Sequence, residues 1–231
     1  MAKKLAILSV AIICAFVVFV LVPKREFSIP IFPQPSAELP IVYDDVSDGG
    51  SSAATVRRVD SVLEFQCTLG KDTSKAAWCG LIWTLDSKNW LLVDSIVMDV
   101  FSESASELVI KIWTFDPDVT QKDSLTTYRL LLKEIALRKG ENHIALPFSE
   151  FYVPEFWFQQ NQADKELVQR HKEHVSRFEI TLGWNVERGQ PMRFRFTKIA
   201  AKGVGSMELA IFLLVCVVIV VAALGFLKKK K

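Results

Sequence analysis

Histidine and cysteine are scarce, at three and four residues in a chain of 231. A catalytic centre needs a positioned base, nucleophile or metal-ligand set. The sequence holds no G-x-S-x-G, H-E-x-x-H or P-loop motif. It holds no C-x-x-C either, which argues against a zinc or redox pair. Gly203-Val204-Gly205 lacks the third glycine of a dinucleotide fingerprint and reads as a flexible link. Asp116 and Asp118 flank Pro117 and read as turn formers rather than an acid pair. His171 and His174 lie in a polar, helix-favouring stretch, 164–175, and read as the solvated face of a surface helix. Two imidazoles without a third positioned ligand make a weak metal site. Charge of one sign is missing too, because 28 basic and 26 acidic residues leave only +2. No basic patch is large enough to suggest nucleic acid. No internal repeat is evident. The expectation is a protein that is not an enzyme and holds no cofactor or metal.

Two long uncharged runs are present, at 5–22 and 209–227. They have 18 and 19 residues, near the ~20 that a helix needs to cross a bilayer core. The first follows Lys3-Lys4 and ends at Pro23-Lys24-Arg25. It reads as an uncleaved span; a cleaved signal peptide is the alternative. Ile12 and Ile13 before Cys14 fit lipoprotein cleavage poorly. The second span, 207–227, begins at Ser206, which can cap a helix, and ends in the basic stop 228–231. Four lysines mark that end as cytoplasmic. If both runs span, the protein is a two-pass inner-membrane protein with both ends inside and residues 24–206 outside.

The charge divides accordingly. Six basic residues (Lys3, Lys4 and Lys228 to Lys231) and one acid (Glu208) lie at the ends, so the middle carries 22 basic and 25 acidic residues, net −3. Cys14 and Cys216 fall inside the apolar runs and read as small apolar residues. Cys67 and Cys79 lie in the middle, where an oxidising compartment lets them pair. Two buried thiols in a sheet core are the alternative.

Residues 23–40 contain five prolines and read as a stalk. The alternative is an edge strand packed on the domain. The 16 Phe and six Trp exclude a disordered chain. Short strands are expected at 61–69, 78–85, 91–101, 107–115, 127–137, 142–146, 177–182 and 192–200. In 61–69, Val62, Glu64, Gln66 and Thr68 oppose Leu63, Phe65, Cys67 and Leu69. Turn residues bound most of these strands. The fold class expected for 41–203 is all-β, an antiparallel sandwich or barrel.

Four segments carry a resemblance. Asp48-Gly49-Gly50-Ser51-Ser52 resembles, at shorter spacing, a D-x-x-G-G-x-S turn. Trp78-Cys79-Gly80-Leu81 resembles a G-F/W-x-G strand. Ile144-Ala145-Leu146-Pro147-Phe148-Ser149-Glu150-Phe151 resembles V-x-I-P-F-S-D-F. RFEITLG at 177–183, followed by MRFRFTKI at 192–199, resembles a pair of closing strands. Together they resemble the galactose-binding-like superfamily, in the pattern of the complex I intermediate-associated protein family and related bacterial carbohydrate-binding modules. That resemblance implies a jelly-roll β-sandwich over 41–203, flanked here by two single transmembrane helices. Lys198 stands where such chains often carry an acid, which weighs against their structural Ca²⁺.

Sugar sites pair aromatic faces with polar groups that read hydroxyls. The loop Tyr152-Val153-Pro154-Glu155-Phe156-Trp157-Phe158-Gln159-Gln160-Asn161 has that composition. Its candidate ligand residues are Tyr152, Phe156, Trp157, Gln159 and Gln160. The competing reading is a hydrophobic plug tucked against the sheet. Arg129, Arg193 and Arg195 lie on strand faces and are candidates to line a concave surface, against the plainer reading of a solvated sheet face. The expected function is a membrane-anchored extracytoplasmic sensor that binds carbohydrate or another small ligand, as part of a bacterial signalling system. The alternative is an anchored scaffold or assembly factor whose sandwich binds another protein. The bilayer is the expected further partner.

Overall fold

The structure, a computed structural model, describes residues 12–17, 19–20, 26–34, 38–166, 169–205 and 207–228, with backbone alone at 207–210 and 222–228. Among the described residues there are eleven strands. In some, 62–68 and 191–196 most clearly, inward apolar side chains alternate with outward polar ones, as in half-buried strands. The eleven are β1 Glu26–Phe32, β2 Ile41–Asp44, β3 Ala53–Val59, β4 Val62–Thr68, β5 Cys79–Lys88 and β6 Val93–Ser102. Then come β7 Ser106–Thr114, β8 Arg129–Leu137, β9 Gly140–Pro147, β10 Val175–Leu182 and β11 Pro191–Val204. Helix α1 is Glu155–Asn161 and α2 is Met207–Lys228.

The strands form two sheets. The first has the order β3-β4-β11-β6-β9, with β1 also paired to β11; the second has the order β2-β5-β10-β7-β8. Their inner faces enclose the core. Leu63 and Phe65 of β4, Phe194 and Phe196 of β11, and Ile96 and Met98 of β6 face Leu81 and Trp83 of β5, Phe178 and Ile180 of β10, and Ile110 and Ile112 of β7, all buried. Each such side chain contributes about 1.5–3 kcal/mol by leaving water. Cys67 of β4 is bonded to Cys79 of β5, so the disulfide ties one sheet to the other across a Cα separation of 6.1 Å.

Two expectations change. The stretch 23–40 is not a free stalk throughout, because Glu26–Phe32 is strand β1 on β11, with Ile31 and Phe32 buried. Phe27, Ile29 and Ile31 alternate with Glu26, Ser28 and Pro30, a pattern an edge strand accepts even with proline. The polar stretch 164–175 is not a helix. Among its described residues, Lys172–His174 is a single 3-10 turn and Val175 already begins β10. The helix in this connection lies earlier, at α1, where Trp157 has a surface to cover.

The chain separates into two units, Ser28–Lys202 and the two ends, Met1–Phe27 with Gly203–Lys231. Within the end unit, residues 12–17 and 19–20 are helical. There Phe212 of α2 stacks on Phe19 at 4.8 Å and meets Phe16 edge-on at 6.2 Å. Among the described residues no helix is long and apolar enough to cross a membrane. Of the predicted spans, residues 5–11, 18 and 21–22, the cap Ser206 and most of the basic stop, Lys229 to Lys231, lie outside the described residues.

Candidate functional site

The outer face of the first sheet is open. Pairing in register sets two polar rows across three strands. Arg57, Glu64 and Arg195 form one; Thr55, Gln66 and Arg193 form the other. Strand alternation puts them all outward, because their neighbours Phe65, Phe194 and Phe196 point into the core. These rows and Glu103 line a groove of about 650 Å³. Its side chains are held in place. Arg57 donates to Glu64. Arg193 donates through Nε to Gln66 Oε1 at 2.9 Å and through Nη1 to Glu103 Oε2 at 3.2 Å. The Arg195 guanidinium lies 4.2 Å from the centre of the Phe101 ring. Guanidinium, carboxylate and amide thus stand side by side, a set that offers donors and acceptors within one ligand's width. Elsewhere on this sheet, Asp99 of β6 and His143 of β9 pair at 2.8 Å.

The expected aromatic loop is elsewhere and serves differently. Trp157 is 1 % exposed and packs on Val109, Leu130 and Leu132 on the outer face of the second sheet. Its Nε1 donates to the Tyr128 carbonyl at 2.7 Å, and Arg129 lies 5.1 Å over its ring. A buried ring offers no face to a sugar, so the plug reading holds for Trp157. Tyr152, Phe156, Gln159 and Gln160 stay exposed around it. Tyr152 is bound to Glu134 at 2.6 Å; burial first, then that carboxylate, push its phenol up to about 12. Of the predicted ligand residues, only Arg193 and Arg195 line the groove. Arg129 is fully buried and paired with Asp116.

Another part of the second sheet's outer face, around Glu179, is also closed. Glu179, 3 % exposed, receives Tyr43 Oη, Lys111 Nζ at 2.9 Å and Trp113 Nε1 at 2.8 Å. Burial raises its carboxyl, but Lys111 first and then Tyr43 and Arg177 outweigh this and hold it below the usual range. The Tyr43 phenol is pushed far up by burial, and next by the Glu179 charge.

The opening turn is organised by Asp45, three residues before the Asp48 that the sequence pattern suggested. Its carboxylate accepts from Ser52 N at 2.8 Å, Ser52 Oγ at 2.5 Å and Trp78 N at 3.2 Å. Burial raises its pKa, but the Ser52 and Trp78 hydrogen bonds lower it more, so it lies below the ordinary value. A Cβ on Gly50 would come within 2.1 Å of this carboxylate, which is why glycine stands there. The turn is a structural clamp.

His171 is buried beside Asp116 at 3.6 Å, whereas His174 is exposed and bonded to Ser87 at 3.2 Å. A smaller pocket of about 400 Å³ lies there, lined by Ser87, Phe115, Lys122, Tyr128, His174 and Ser176. Among the described residues no carboxylate is hydrogen-bonded to the His174 ring, so a serine–histidine pair has no third member to orient it.

Sequence reasoning missed Arg57, Glu64, Gln66 and Glu103 as groove residues. Glu64 and Gln66 were visible as the polar side of an alternating strand. Arg57 sits on β3, whose inward residues Ala54, Val56 and Arg58 are too weakly apolar to advertise a strand.

No protein-family model matches the chain, and no curated protein matches it. Solved structures do. A family 11 carbohydrate-binding module of the cellulosomal cellulase Lic26A-Cel5E of Clostridium thermocellum matches with a TM-score of 0.54 and 14% identity, over 79% of this chain and 96% of that one. A family 11 module from the same organism, in complex with a β-1,3-1,4-mixed-linked tetrasaccharide, matches with a TM-score of 0.54 and 15% identity, over 80% and 98%. A family 30 carbohydrate-binding module matches with a TM-score of 0.50 and 10% identity, over 77% and 87%. The fold is the β-sandwich of these modules.

Proposed function

We propose that the sandwich is a carbohydrate-binding module and that its site is the groove across β3, β4 and β11. The observation that carries this reading is the groove itself. At about 650 Å³ it has the size of a ligand site, and its floor is a continuous polar row on rigid strands. Sugar hydroxyls donate and accept at once, and Arg193, Gln66, Glu64 and Glu103 offer both kinds of partner. The likeness to carbohydrate-binding modules supports the reading through the fold.

The module is held at a bacterial inner membrane by spans at 5–22 and 207–227, with 24–206 outside and both ends cytoplasmic. The uncharged runs 5–22 and 209–227, 18 and 19 residues long against the ~20 a span needs, support this. The Cys67–Cys79 bond suits an oxidising compartment. The role is sensing rather than catalysis, with no cofactor and no metal. Arg193 and Arg195 lie on β11, and β11 ends at Val204, just before α2 begins at Met207. Ligand acts on the helices only if it favours one of their arrangements over another.

Titration of the detergent-solubilised full chain with a panel of oligosaccharides tests this. Binding that falls at least tenfold in Arg193→Ala supports it. No saccharide binding, together with recovery of a defined protein partner, favours the scaffold reading instead.

A further inference from the structure

The charges of the groove are unevenly matched. Glu64 is engaged by Arg57, and Glu103 by Arg193. Arg195 is the third arginine of the groove, and among the described residues its guanidinium engages no carboxylate. Its side chain is exposed and lies over Phe101. A guanidinium stacked flat on a ring keeps its in-plane N–H fork free, and that fork grips a planar carboxylate with two parallel hydrogen bonds. The groove therefore carries one positive charge in excess, three arginines against two glutamates. The 24–206 segment around it is net −3.

The aromatic side of the groove points the same way. Neutral pyranoses are bound by packing on an open aromatic face. Among the described residues no Trp or Tyr lines this groove. Phe65 and Phe194 are 1 % exposed, and Phe101 is covered by Arg195.

We propose that the groove takes a uronic-acid saccharide, with Arg195 binding a sugar carboxylate and the Arg193–Gln66–Glu103 cluster reading its hydroxyls. This rests on the carbohydrate-binding reading of the same groove. The specificity comes from an arginine left without an acid, in a groove whose other arginines are neutralised.

The test is calorimetric titration of the full chain in detergent with three probes: tetragalacturonate, a neutral mixed-linkage glucan tetrasaccharide and a sulfated carrageenan tetrasaccharide. Tetragalacturonate is expected to bind at least tenfold tighter than either of the others. Arg195→Gln is expected to lose at least tenfold on tetragalacturonate with an unchanged melting temperature. Glu103→Gln, which releases Arg193, is expected to tighten it about threefold. Equal or tighter binding of the neutral glucan overturns the uronate proposal and leaves the carbohydrate-binding reading standing. Preference for the sulfated probe overturns the planar-carboxylate assignment. Failure of all three probes to bind overturns both readings.

Discussion

On the outer face of the second sheet, Glu179 is 3 % exposed and Trp157 1 %. On the outer face of the first sheet, the Arg193 and Glu103 side chains are 53% and 54% exposed. Both faces are outward sides of antiparallel sheets, and both carry arginines, glutamates and an aromatic ring. They differ in what lies above them. Residues 151–163 fold back over β7 and β8, and Lys111, Trp113 and Tyr43 close over Glu179. Nothing described covers β4 and β11, so their polar rows remain available to a ligand. Closure turns polar residues into structure, because a buried charge must be matched within the protein. Openness leaves comparable residues nearly neutral for stability and free for binding.

The difference can be broken most forcefully at Asp116. Its ion pair with Arg129 is fully buried, so Asp116→Ala is expected to lose about 3–5 kcal/mol in chemical denaturation. A loss under 1 kcal/mol would mean the face is not sealed as described. Trp157→Ala comes next. Removing the plug is expected to lose about 3–5 kcal/mol of stability, while the folded fraction keeps its saccharide affinity. The pair of substitutions Cys67→Ala and Cys79→Ala removes the tie between the sheets and is expected to lose about 3 kcal/mol, read as a lower melting temperature.

A pH series sharpens the comparison further. Glu179 and Asp45 both have carboxyls held below their ordinary values of 4.5 and 3.8. A depressed carboxyl contributes stability above its unfolded value and loses it as pH falls through the folded one. The melting temperature is therefore expected to hold from pH 7 to about 5 and to fall below about 4.5. Glu179→Gln should flatten that fall; an unchanged slope would remove Glu179 as its source. The smallest effect on stability belongs to the open face. Arg193→Ala is expected to shift stability by no more than about 0.5 kcal/mol.

Much of this was legible in sequence. The alternation of 61–69 and 192–200 announced β4 and β11 and put Arg193 and Arg195 on the outward side. The even mix of apolar runs and turns announced the sandwich. Two features were not legible, for physical reasons. Loop composition cannot say whether Trp157 packs inward or outward, because the surface that decides it is formed by Val109 and Leu132, far away in the chain. Nor can one strand's polar side predict a groove, because Arg57, Glu64 and Arg195 become neighbours only through the pairing of three strands. The clamp at Asp45 was missed for a simpler reason. Asp44, Asp45 and Asp48 look alike in sequence, and only Asp45 faces the Ser52 and Trp78 amides.

The decisive measurement is a side-by-side saccharide titration of wild type, Arg193→Ala and Trp157→Phe, with folding of each verified by its melting curve. Binding lost in Arg193→Ala and kept in Trp157→Phe is the predicted result. Binding kept in Arg193→Ala and lost in a folded Trp157→Phe would place the site on the closed face and contradict it.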